Sequence, residues 1–194
     1  MTRFVYGAGA AVAVAVALAA TPLTAQTKQD LPEHFTAFAV NISSAAPRAA
    51  ATTVDIVINR WSPDATRDEL LSIFKQKGQD ALLTALQKQP VVGYINTPGT
   101  LRYDLHYARQ VAQPDGGRKV VLATDRPISY WEVTNAARTL NYPFTLIQLQ
   151  LDKDDHGVGK LSIATRLVSA DDGVIELEDF ADQPVRLNDV RKAG

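Results

Sequence analysis

The chain has 194 residues and no cysteine, with 20 Lys and Arg against 21 Asp and Glu, a formal charge of −1. The lack of cysteine excludes disulfides, thiolate metal sites, cysteine nucleophiles and a lipid-modified amino-terminal cysteine. The near-neutral balance gives no electrostatic footprint for nucleic acid or for an anionic membrane surface.

Residues 1–25 read as a secretory signal peptide. Arg3 provides a short positive region, Val5 to Ala20 is almost entirely Ala, Val, Gly and Leu, and Thr21-Pro22-Leu23-Thr24-Ala25 offers small residues for cleavage after Ala25. The apolar run is short for a membrane-spanning helix, which needs about 20 residues. The expectation is an exported protein, periplasmic or extracellular, with no membrane insertion after signal cleavage. Without Arg3 the count is 19 basic against 21 acidic residues, a formal charge of −2. What remains is one domain's worth of chain that must hold its fold by core burial alone.

Residues 26–34 (QTKQDLPEH) read as a flexible lead-in, and 35–190 as a single β-rich domain. Phe35 to Ile42 is apolar on both parities, which suggests a strand covered on both faces. Ser43 to Ala51 reads as an exposed connection. Thr52 to Trp61 is a second strand with Val54, Ile56 and Ile58 on one face. A helical hairpin follows at 63–89. Ser62 is the expected N-cap, Pro63 takes the first helical position, and Asp64, Asp68 and Glu69 suit the positive end of the dipole. Leu70, Leu71, Ile73 and Phe74 supply the apolar stripe, and Gly78 ends the helix. The second helix, from Gln79 to Lys88, carries Leu82, Leu83 and Leu86 on one side and stops at Pro90. These stripes need a surface to cover, and the doubly apolar strands offer one.

From Val91 the pattern is almost all β. Val91 to Ile95 is a short strand, and Thr97-Pro98-Gly99 is a turn. Leu101 to Gln110 is a long strand with Leu101, Tyr103, Leu105 and Tyr107 on one face and Arg102, Asp104 and His106 on the other. Lys119 to Thr124 and Ile128 to Val133 are strands broken by Asp125-Arg126-Pro127, and Thr134 to Asn141 is a loop. Tyr142 to Val168 reads as a β-hairpin. Ile147, Leu149, Leu161 and Ile163 share the core parity, and Gln148, Gln150, Lys160 and Ser162 the other. Val174 to Asp179 is another strand, and Pro184 to Leu187 a last, edge strand. The fold class is mainly antiparallel β (α+β): a nine- to ten-stranded barrel or two-layer sandwich with a helical hairpin inserted after the second strand.

Few groupings point to chemistry. His34, His106 and His156 show no metal-ligand spacing. Asp152, Asp154, Asp155, His156 and Gly157 resemble half a calcium loop, but His156 stands at position five and Ile163 at position twelve, where Glu is needed. An acidic surface turn is the better reading, with no metal and no cofactor. Asp104 beside His106, with Arg102, is the candidate acid–base pair of an enzyme, although no GxSxG nucleophile accompanies it. Tyr103, Tyr107, Tyr130 and Trp131 form an aromatic concentration suited to an apolar pocket or simply to a β core. Arg126 is positioned to pair with Asp125, Glu132 or an anionic ligand.

The stretches Phe35-Thr36-Ala37-Phe38, Ala123-Thr124-Asp125-Arg126-Pro127-Ile128-Ser129-Tyr130-Trp131-Glu132 and Tyr142-Pro143-Phe144-Thr145-Leu146-Ile147 resemble a family of small exported bacterial proteins to which no activity is assigned. The resemblance implies envelope export and nothing more. Two functions are therefore carried forward. One is an exported non-enzymatic β domain that binds a small apolar ligand or an envelope partner. The other is an enzyme that uses Asp104 and His106.

Overall fold

The computed structural model describes residues 31–40, 51–98, 102–125, 144–162, 165–169, 175–179 and 185–193, with 165–169 and 175–179 by backbone alone. The signal segment, the strand expected at Ile128–Val133, and the side chains of Arg126, Tyr130, Trp131 and Ile163 lie outside the described residues.

The elements in order are β1 (Glu33–Val40), β2 (Ala51–Ile58), α1 (Asp64–Lys77), α2 (Gln79–Gln87), β3 (Gly93–Asn96), β4 (Tyr103–Ala112), β5 (Arg118–Thr124), β6 (Leu146–Leu151), β7 (His156–Ser162), β8 (Thr165–Ser169), β9 (Ile175–Asp179) and β10 (Val185–Ala193). The fold is mainly antiparallel β. Eight strands close a barrel in the order β1-β10-β7-β6-β5-β4-β3-β2, because β1 pairs with both β10 and β2. The expected nine or ten barrel strands become eight, since among the described residues β8 and β9 pair only with each other, and the sandwich alternative gives way to closure. The expected edge strand at Pro184–Leu187 is instead β10, a full barrel strand between β1 and β7.

Alternation fills the interior. Phe35, Ile56, Ile58, Ile95, Leu105, Leu122, Ile147, Leu149, Leu161 and Leu187 are all under 2% exposed. An eight-stranded barrel is just wide enough for such side chains to meet at the axis. The hairpin of β6 and β7 follows the expected faces, with Ile147, Leu149 and Leu161 inside and Gln150 and Lys160 exposed. Ser162 departs from them. It faces outward opposite Leu146, yet both are buried, because that wall is covered. Within β7, a Cβ on Gly157 would run into the carbonyl oxygen of Gln150, so the close approach of the two strands requires glycine there.

The cover comes from the helical hairpin, which is inserted after β2 as expected. Gly78, with φ 79°, joins the two helices, and its N–H donates to the Phe74 carbonyl at 2.9 Å. Leu70, Leu82, Ala85 and Leu86 pack on Ala123, Phe144 and Leu146, with Tyr107 at the margin. The helices therefore cover the outer wall of β4 to β6 and not β1. Strand β1 is buried on one face only, and Phe38 on its outer face is 52% exposed. The N-cap also differs. Pro63 takes that position without a side-chain bond, while Ser62 Oγ accepts the Ala108 N–H at 3.1 Å and ties the helix entry to β4.

Candidate functional site

Strand β4 carries the expected acid–base pair, and a bulge rearranges it. Leu105 pairs with Thr124, but Tyr107 pairs with Ala123, so His106 is an extra residue in the ladder. One inserted residue exchanges the faces of everything beyond it. Tyr103 and Leu105 point into the barrel, whereas Tyr107 joins the helix-covered outer layer and Ala108 enters the core in its place. The two described aromatics of the expected pocket thus lie on opposite sides of the wall. Burial raises the Tyr107 hydroxyl pKa above the usual phenol range, against the pull of nearby Arg109 and Arg67.

Asp104 and His106 do not pair. Asp104 lies 3.5 Å from Arg102, both side chains half exposed, and the Arg102 guanidinium stacks 3.9 Å over the Tyr94 ring. His106 is buried at 8% exposure. Its Nδ1 lies 2.8 Å from the carbonyl oxygen of Gln89. A carbonyl only accepts, so Nδ1 carries the proton. Its Nε2 lies 3.6 Å from Asp125 Oδ2. The carboxylate beside the histidine is therefore Asp125, at the exit of β5, and both ring nitrogens face groups of the protein itself. The pair joins the end of the helical hairpin to the strand exit, helped by Gln87 Nε2, which donates to the Asp125 carbonyl at 3.5 Å.

The half calcium loop is a self-bonded turn. Asp152 Oδ1 accepts the N–H groups of Asp154 at 2.8 Å and His156 at 3.0 Å. Those bonds hold the Asp152 carboxyl below the usual carboxylate range. Asp155, at φ 59°, turns its carboxylate to Arg118 at 2.8 Å. Among the described residues, no cluster of His, Asp and Glu is arranged for a metal ion.

Sequence reasoning missed the largest polar constellation among the described residues, a charged plug at one barrel end. Glu33 is fully buried and receives Arg118 through Nη2 at 2.7 Å and Nη1 at 3.3 Å. The same guanidinium donates to Asp155 and, at 2.7 Å, to Gln110 Oε1, and Lys192 stands 3.9 Å from Glu33 and 3.7 Å from Asp155. Two carboxylates and two cations alternate around the end of the core. Burial opposes the Arg118 charge, but its bonds to Glu33 and Asp155 outweigh it and raise the pKa. The signal was parity: Arg118 shares the inward face of Val120 and Leu122, and Glu33 that of Phe35 and Ala37. The expected lead-in ran through residue 34 and hid it.

A recess of about 240 Å³ opens beside this end, lined by Trp61, Ser62, Pro63, Asp64, Arg109 and Gln110. Arg109 is already paired with Asp64 at 2.5 Å, and the Trp61 indole N–H is buried without a partner among the described residues. That nitrogen has no accessible surface, so an occupant of the recess does not reach it. Compared with protein-family models, with curated proteins and with solved structures, the chain matches none.

Proposed function

We propose that the protein is an exported, non-enzymatic barrel domain that acts by binding an envelope partner through its outer surface. The observation that carries this reading is the filled interior: large apolar side chains from the barrel strands occupy the space in which a carrier of this size would hold a small apolar ligand. The environment of His106 supports the non-catalytic side of the proposal. Its protonated nitrogen is held by a backbone carbonyl and the other faces Asp125, so neither is turned toward a substrate. Export rests on residues 1–25, and amino-terminal sequencing of the secreted protein is expected to begin at Gln26.

The test is native mass spectrometry of the protein purified from its own host, followed by crosslinking in intact cells. The expected result is a bare polypeptide mass together with a reproducible crosslink to an envelope component. A stoichiometric small apolar molecule that survives purification overturns the reading in favour of a carrier. Turnover that disappears with His106→Ala and with Asp104→Asn restores the enzyme alternative.

A further inference from the structure

Strand β4 runs past its neighbour. β3 pairs with it only from Tyr103 to Leu105, while β4 continues to Ala112. Beyond the bulge the segment after β2 takes over for one residue. The Ser62 N–H donates to the Ala108 carbonyl at 2.8 Å, and the Ala108 N–H donates to Ser62 Oγ at 3.1 Å. The main-chain groups of Ala108 therefore face away from β5. That direction alternates along an antiparallel ladder, so those of Gln110 and Ala112 face away from β5 as well. Gln113 confirms the phase, since its N–H donates back to the Gly117 carbonyl at 2.8 Å. The departing segment does not follow β4 to Gln110. Pro63 has no N–H, and its carbonyl already accepts from Thr66 and Arg67 at 3.0 and 3.4 Å as α1 begins. Val111 and Ala112 are exposed.

The recess of about 240 Å³ is the wedge left where the two chains part. Trp61, Ser62, Pro63 and Asp64 line it from the departing segment, and Arg109 and Gln110 from β4. Asp64 and Arg109 neutralise each other at 2.5 Å, so its walls select neither an anion nor a cation. What borders it is a short strand edge, whose N–H and C=O groups match another extended backbone. We infer that the edge from Gln110 to Ala112 is a β-addition site for an extended peptide segment of the envelope partner, with one short polar side chain of that segment seated in the recess. This rests on the proposed binding role and names its chemistry. A second copy of the chain is the poorer occupant. A two-fold β4–β4 contact would be confined to this short edge, whereas stable interfaces bury about 1,200 Å² or more.

Hydrogen exchange followed by NMR in the full folded protein tests this, with a capped alternating threonine–valine peptide as the probe. The expected result is slower exchange at the Gln110 and Ala112 amides and no change at Val111, whose N–H already faces β5. The same peptide N-methylated at alternate residues should bind about tenfold more weakly, as should the unmodified peptide to Ala112→Pro, each losing one or two main-chain hydrogen bonds. Ala112→Pro removes a donor that β5 does not use, and circular dichroism checks that the variant folds. No protection at millimolar peptide, or equal protection by the N-methylated peptide, overturns the inference. Protection that rises with protein concentration in the absence of peptide assigns the edge to a second copy and overturns it too. A cellular crosslink to an envelope component that persists undiminished in Ala112→Pro defeats this inference and leaves the proposed function standing. Peptide protection without any such crosslink from the parent chain does the reverse.

Discussion

Arg118→Met removes the centre of the charged plug. Among the described residues, the Glu33 carboxylate, with no exposed surface, then keeps only Lys192 at 3.9 Å. Breaking a buried pair from one side leaves an uncompensated charge and costs about 3–5 kcal/mol. At about 2–4 °C per kcal/mol for a domain of this size, the midpoint of thermal unfolding should fall by about 6–20 °C. Urea unfolding followed by circular dichroism measures the free energy directly. Arg67→Met is the control, because its bond to Asp68 joins side chains 35% and 63% exposed and should cost under about 1 kcal/mol. Glu33→Leu combined with Arg118→Met should regain most of the loss, since two apolar groups leave no unpaired charge beside Phe35 and Asp155 keeps Lys192. The reasoning fails if Arg118→Met costs no more than the Arg67 control, or if the double variant is as unstable as the two single losses added together.

His106→Ala should cost about 1–3 kcal/mol by leaving the Gln89 carbonyl without its donor, with faster hydrogen exchange at the end of α2 as the local readout. Gly157→Ala should destabilise the protein markedly, since the added methyl meets the backbone of β6; an unchanged urea midpoint would contradict the observed strand approach. The depressed pKa of Asp152 contributes stability that is complete above the ordinary aspartate value, about 3.9, and is lost as pH falls through the lower folded value. Below about pH 4 the stability of Asp152→Asn should therefore fall less steeply than that of the parent chain, and parallel acid-unfolding profiles would refute the assignment.

The sequence disclosed most where each residue's role follows from its own parity. Val54, Ile56 and Ile58, Ile147 and Leu149, and Leu161 all face inward as alternation requires, and the helical hairpin sits where its leucine stripes and Gly78 put it. It disclosed least where one residue changes the count. The bulge at His106 separated Tyr107 from Tyr103 and removed Asp104 as the histidine's partner, and no local composition marks that insertion. The helix entry failed for a different reason. Ser62 has good capping chemistry, but the unpaired N–H of Ala108 on a distant strand claimed its oxygen. Closure itself has no local signature, because it depends on β1 recognising β10 and not on any property of either strand alone.

That closure has a kinetic consequence. β1 meets its second neighbour only through pairs such as His34 with Ala193 and Val40 with Arg186, near the two ends of the domain. No barrel can exist until the last strand is in place, and until then β1 and β7 both present open edges. Contacts of such long sequence separation form slowly, because the closure entropy is lost before the contacts compensate for it. Docking of the nine-residue strand β10, Val185 to Ala193, is therefore expected to be a slow step in folding, and the interval before it docks is when the edges of β1 and β7 are most exposed to edge-to-edge aggregation.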